Sequence, residues 1–253
     1  MNLVVNNYNI LEILIITYLV SFVLVFVTKK LAVHVNALDM PNERKVHKKP
    51  MPRLGGLAIY SAFLFGYIMY GSVTTQMISI LISSFILVLL GVFDDIKPIS
   101  SKTKILIHII VASIVVFYGK LYFSEISILG LKLFLPTWIN QIIAIFFIVG
   151  AINAINLIDG LDGLCAGISS IYFITIAIIA LILNKMNGLD IILCIIMLGS
   201  TLGFLTHNFP PAKENVPSPV FHKKYRRHTF LVLFLSQSPR TTIQFQNHAG
   251  YSA

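Results

Sequence analysis

Apolar residues in this chain come in long, nearly unbroken runs, at roughly 8–28, 54–71, 76–93, 105–118, 137–153, 164–183 and 188–206. Most approach the about 17–25 residues a helix needs to cross the bilayer core, and the fourth is short. A segment that is apolar all round has no face to offer water, so the runs predict membrane spans and not amphipathic helices around a soluble core. Seven spans give an all-α, polytopic integral membrane protein. The pattern changes once, between Lys120 and Trp138. There Ile126, Ile128, Leu131, Leu133 and Leu135 alternate around Gly130, which predicts a small β-hairpin or interfacial element near 120–136.

Composition agrees. Hydrophobic residues make up 57% of the 253, charged residues only 11%, and the mean hydropathy is +0.85, far above what a soluble domain of this length needs. Cys165 and Cys194 sit in or beside apolar runs without metal-ligand spacing and read as small hydrophobes. The first run lacks a basic stretch before it and a small-residue cleavage site after it, so it reads as a retained span. No strong internal repeat is visible.

A net charge of +9 would suit nucleic acid, but the basic residues lie in short loops between spans, which is a topology signal. Seven lie from Lys29 to Arg53, three from Asp94 to Lys104 and six after the last span. With the N-terminus outside, 16 of the 19 fall on the cytoplasmic side, leaving Lys120, Lys132 and Lys185 outside with the hairpin. The same assignment puts Asp94, Asp95, Asp159 and Asp162 on the cytoplasmic face.

Three stretches on that face carry candidate chemistry. The first is NAINLIDGLDGL, Asn153 to Leu164, where a helical turn sets Asn153 over Asn156 and Asp159 over Asp162 before Gly160 and Gly163 release the backbone. Acids and amides at a membrane surface suit a hydrated divalent cation and the phosphates it carries. The second is GVFDDIKPISSKTK, Gly91 to Lys104. Adjacent carboxylates repel, so Asp94 and Asp95 are favoured together where a cation or a phosphate-bound proton lies near, with Lys97, Lys102 and Lys104 as partial compensation. For a lone pair of aspartates at a span end, a solvated polar boundary is the favoured explanation. Its coincidence with DGLDG on one face favours function.

The third stretch, DMPNERKVHKKPMPRLGG, runs from Asp39 to Gly56. Its basic side chains suit phosphates, its prolines oppose helix, and Arg53 opens the second span beside unpaired amides suited to an anion. Positive-inside topology plus lipid headgroups accounts for the charge as well. His108, deep in the fourth span, reads as an interhelical hydrogen-bonding residue or a proton relay; His207 follows the seventh span as an interface marker.

Together, and in this order, the three stretches resemble the polyprenyl-phosphate N-acetylhexosamine-1-phosphate transferase family, and within it the undecaprenyl-phosphate N-acetylglucosaminyl-1-phosphate transferases more than the phospho-N-acetylmuramoyl-pentapeptide branch. The likeness runs from about residue 8 to Lys213. It implies transfer of a sugar phosphate from a UDP-N-acetylhexosamine to a membrane polyprenyl phosphate, with release of UMP, dependence on Mg²⁺ or Mn²⁺, and a site on the cytoplasmic face of the cell membrane. Carried over by motif, Asp94 and Asp95 position the lipid phosphate or take its proton, while Asn156 and Asp159, with Asp162, hold nucleotide and metal. Lys45, His47, Lys48 and Arg53 face the phosphates, and Asn153 joins the substrate-binding set.

The end of the chain departs from that family. HNFPPAK, His207 to Lys213, should lead to a glycine-aspartate-glycine metal motif, further spans and a histidine-rich loop. Instead Glu214 to Ala253 forms an atypical basic tail whose one apolar run, Phe230 to Leu235, is too short to span. The expectation is a membrane-embedded transferase domain over 1–213 followed by an out-of-frame or substituted segment, with turnover severely impaired. A tail that binds anionic lipid through Lys223, Lys224, Arg226 and Arg227 is the alternative. Two other function classes stay open, a non-catalytic membrane binding protein and a transporter. The second is weaker, since Glu12 and Asp190 lie at span ends and only His108 lies deep.

Overall fold

A computed structural model describes residues 4–5, 8–39, 51–52, 54–123, 126–128, 131–158, 163–182 and 189–209. Every apolar run is a helix: α1 (Ile10–His34), α2 (Gly55–Tyr70), α3 (Thr75–Ile96), α4 (Ser101–Ser113), α5 (Thr137–Ile158), α6 (Leu164–Ile182) and α7 (Leu189–Asn208). Six are long and apolar enough to cross a membrane, α4 counting together with the π-helical turn Ile114–Tyr118 that continues it; α2, with 16 residues, is shorter. The protein is an all-α, multi-pass membrane protein.

Local chemistry sets the helix starts. Asn9 caps α1 by accepting the Leu11 amide at 2.9 Å, Thr74 caps α3 by accepting that of Met77, and Ser100 caps α4 by accepting that of Thr103. α1 and α5 outrun their apolar stretches furthest. α1 continues to His34, and α5 continues through both asparagines to Ile158. The Asn153 side chain donates to the Val149 carbonyl one turn back, so an amide that would otherwise compete with the helix is satisfied on it.

The hairpin foreseen around Gly130 forms, with Ile126–Ile128 antiparallel to Leu131–Leu133 and Ile128 opposite Leu131. A second short ribbon had no sequence signal: Leu38–Asp39 pairs with Met51–Pro52 and closes the loop that carries the basic stretch. Val4–Val5 pairs with Tyr8–Asn9 ahead of α1.

α7 sits at the centre, with Ile191 to Leu198 all buried. It runs parallel to α1 at a distance only glycines permit. A Cβ on Gly199 would lie 2.6 Å from the Leu14 carbonyl oxygen, and one on Gly203 would collide with that of Tyr18. Ser21 Oγ donates to the Ser200 carbonyl at 2.6 Å across the same seam, and Ser170 of α6 reaches Thr201 at 3.1 Å. Small residues and hydroxyls of this kind hold helices together where lipid removes the hydrophobic driving force between them. α2 approaches from the other side, its Gly66 against Thr17 and Ile196. A second cluster joins α3, α4 and α5 through Leu87, Leu90, Val111, Val115, Ile148 and Ile152.

Outside these clusters many large apolar side chains of the described helices are exposed. Ile142, Phe146 and Ile171 are well exposed, as lipid-facing residues should be.

Up-and-down connection decides which ends meet. Ala32 near the end of α1, Leu54 before α2 and Val92 near the end of α3 share one small cluster, so these three termini lie together. The start of α4 joins them through Lys104 and Asp94.

Candidate active site

At that shared end, the last turn of α3 presents Asp94 and Asp95, 4% and 5% exposed. Carboxylates so buried need compensation, because taking a charge from water costs several kcal/mol, roughly, even after relaxation. Asp94 receives it from two directions. Lys104 Nζ lies 2.7 Å from its Oδ1, and the Ile99 amide donates to the same oxygen at 2.9 Å.

The local sequence explains why. Pro98 offers no amide and follows Lys97, which ends α3; Ser100 then caps α4 at once, so the turn is four residues long. That short turn brings the first turn of α4 back against the last turn of α3. Of the three lysines near the pair, geometry selects Lys104. Lys102 is exposed on α4, and Lys97 caps α3 through its backbone amide to Phe93.

α5 carries the amides in its last turns, beyond Ile152, which belongs to the same buried cluster as Leu90 of α3. Directly after Ile152 comes Asn153, exposed, and one turn on from Ile152 stands Asn156, half-buried. Their three-residue spacing sits on a continuous helix, as the sequence predicts, but the two differ. Asn153 turns its Nδ2 back to Val149 at 2.7 Å. Asn156 is the less exposed of the two. α5 ends at Ile158, and Gly163, with φ of 71°, adopts the left-handed backbone just ahead of α6.

Asp159, Asp162, Lys45, His47, Lys48 and Arg53 lie outside the described residues, as does the tail after Lys213. Among the described residues no group of three or more histidine, cysteine or acidic side chains forms a metal site. Asn156 is one amide donor of the kind a hard cation accepts, and alone it does not make a cation site.

His207 requires a correction. It does not follow the seventh span but lies in the last turn of α7, wedged against α1, its Nε2 3.2 Å from the Phe22 carbonyl and its ring 4.3 Å and 4.8 Å from those of Phe22 and Phe26. Parallel packing of α1 on α7, invisible to hydropathy, puts it there. Lys29 joins this group, its Nζ 5.7 Å from the centre of the Phe26 ring.

Residues 77–214, from the start of α3 to just past α7, match the family described as glycosyl transferase family 4. The stretch holds Asp94, Asp95, Lys104, Asn153 and Asn156, and its end falls where the composition changes. The chain is 41% identical over 201 residues to the probable undecaprenyl-phosphate N-acetylglucosaminyl 1-phosphate transferase of Bacillus subtilis (strain 168), covering 79% of this chain and 55% of that protein. It is 32% identical over 116 residues to the undecaprenyl-phosphate alpha-N-acetylglucosaminyl 1-phosphate transferase of Escherichia coli (strain K12), covering 45% of this chain and 31% of the relative. The protein of the same name from Salmonella typhi is 27% identical over 114 residues, with the same coverage. The chain thus spans about half the length of the first of these relatives and about a third of the others.

Proposed function

We propose that this chain, which belongs to glycosyl transferase family 4, provides the membrane domain of a transferase that moves N-acetylglucosamine 1-phosphate from its UDP ester to undecaprenyl phosphate and releases UMP, the first step of a cell-envelope glycan. The observation that carries the reading is the buried carboxylate pair, Asp94 and Asp95, with Lys104 against it, at the end of a membrane helix inside the family-matched stretch.

The chemistry fits that setting. An oxygen of the lipid phosphate attacks the sugar-bearing phosphorus, and the bond from that phosphorus to the oxygen of UMP breaks. Both reactants are anions, so repulsion is the first obstacle, and only an arrangement that fixes geometry and balances charge lowers it. A lipid phosphate reaches a helix terminus at the membrane edge without leaving its chain's environment. Asp94, held by Lys104 and the Ile99 amide, is a fixed carboxylate that keeps the pair in place. Any proton on the attacking phosphate passes to this pair. Asn156, at the end of α5, orients the nucleotide half from across the site. With Asp159 it would hold Mg²⁺, or Mn²⁺, which when bound neutralises phosphate charge.

The distribution of Lys and Arg supports a cytoplasmic site in the cell membrane with the N-terminus outside. Lys45, His47, Lys48 and Arg53 then belong to the loop that meets the phosphates. A second reading, a non-catalytic membrane binding protein, draws on the change of composition after Lys213.

The test is UMP release by the purified chain given UDP-N-acetylglucosamine and undecaprenyl phosphate. Release that needs both substrates supports the transferase. Binding of either substrate without release supports the binding protein, and solute flux in vesicles without release supports a transporter.

A further inference from the structure

One buried ionisable side chain at this end has no role in the scheme above. His108, on α4, is 5% exposed. It follows Lys104 by four residues and therefore shares its face, one turn deeper in the membrane. That face meets α3. Lys104 reaches Asp94, and further in, Ser83 Oγ donates to the Val111 carbonyl at 3.3 Å. The two contacts fix an antiparallel register with His108 between them, closer in sequence to the second.

Side-chain direction narrows the gap to the aspartates. Helical side chains lean toward the N-terminus of their own helix. For His108 that is toward Lys104 and the membrane edge. For Asp94 and Asp95 it is inward, toward the level of Gly91.

The ionisable groups on the neighbouring helices are few. α3, from Thr75 to Ile96, carries only Asp94 and Asp95; α5, from Thr137 to Ile158, carries none. The π-helical turn adds Tyr118, which is exposed, and α4 itself adds Lys102, also exposed, and Lys104. On the helices packed against α4, the aspartate pair supplies all the negative charge. Lys104 reaches Asp94, and two carboxylate charges in so dry a layer call for more than one donor around the pair.

We propose that His108 is a positioning residue for the Asp94–Asp95 pair, holding the two carboxylates from the membrane side as Lys104 holds them from the edge. The proposal concerns residues assigned to the reaction above, and it rests on that reading for its catalytic consequence only.

The experiment is a mutant cycle on the full chain in detergent, comparing His108→Met, which keeps volume, and His108→Gln, which keeps an N–H donor, in the unaltered, Asp95→Asn and Asp94→Asn backgrounds. Thermal unfolding is read first. His108→Met should lower the midpoint in the unaltered chain and lower it clearly less in one aspartate-free background, while His108→Gln stays near the starting value. Equal losses in all backgrounds overturn the proposal, because packing alone would be additive. Should His108→Met not yield folded protein, His108→Asn takes its place in the cycle.

UMP release is read second. His108→Met should lower kcat about tenfold, the scale on which outer partners of a reactive group act, with KM for UDP-N-acetylglucosamine unchanged, and His108→Gln should restore it. Equal kcat for all three overturns the proposal. If the unaltered chain releases no UMP, the transferase reading fails for this polypeptide, and the unfolding cycle alone decides the role of His108.

Discussion

Lys104 Nζ lies 2.7 Å from Asp94 Oδ1, joining the first turn of α4 to the last turn of α3 with the carboxylate side chain 3% exposed. Removing one partner of such a pair leaves a buried charge without its counter-ion, at about 3–5 kcal/mol. Lys104→Met should therefore unfold at clearly lower temperature and lose UMP release. The double variant Lys104→Met, Asp94→Asn should recover most of the stability and none of the activity. Stability that stays low in the double variant would show that the ion pair is not what holds the turn.

The two asparagines of α5 should behave differently. Asn153 is exposed and its Nδ2 bonds its own helix at Val149, whereas Asn156 is half-buried one turn nearer the site. Asn156→Ala is expected to cost at least about tenfold in kcat/KM, the loss of one good polar contact, and Asn153→Ala distinctly less. Equal effects in a UMP-release assay would refute the distinction.

Helix contact at the centre of the molecule depends on glycine. Gly203→Leu would drive a side chain into the backbone of α1 at Tyr18 and Phe22. Overpacking of this sort costs about 1–3 kcal/mol or more. Gly150→Ala, on α5 with nothing within 4 Å of the new Cβ, should be neutral or slightly stabilising. Thermal unfolding in detergent compares the two; similar midpoints would mean that α1 and α7 do not meet closely at this position.

Chelation should abolish UMP release, and Mg²⁺ should restore it. A rate that survives chelation would remove the cation from the proposed reaction.

The segment after Lys213 can be tested by replacement. A chimera that joins residues 1–213 to the corresponding remainder of the Bacillus subtilis relative should release UMP much faster than the unaltered chain. Equal rates would show that the native tail does not limit turnover.

Much of this was legible in one dimension. Seven helices in the right places follow from apolar runs alone, because a backbone in lipid must satisfy its own hydrogen bonds and helix is the local way to do so. The hairpin at Ile126–Leu133 followed from alternation around Gly130, and type and spacing singled out the aspartate pair and the asparagine pair as candidates. These are short-range properties, and sequence states them directly.

What depended on contact between distant segments was not legible. Three lysines near Asp94 and Asp95 were equivalent in the sequence, and the four-residue turn between α3 and α4 selected Lys104. α7 read as one more span among lipids, yet it is the buried centre, because Gly199 and Gly203 admit α1 and Ser200 accepts from Ser21. His207 packs its ring on α1 from within the last turn of α7 for the same reason. Hydropathy cannot separate a face that meets lipid from a face that meets another helix, since both are apolar; that choice belongs to shape, and only the folded helices express it.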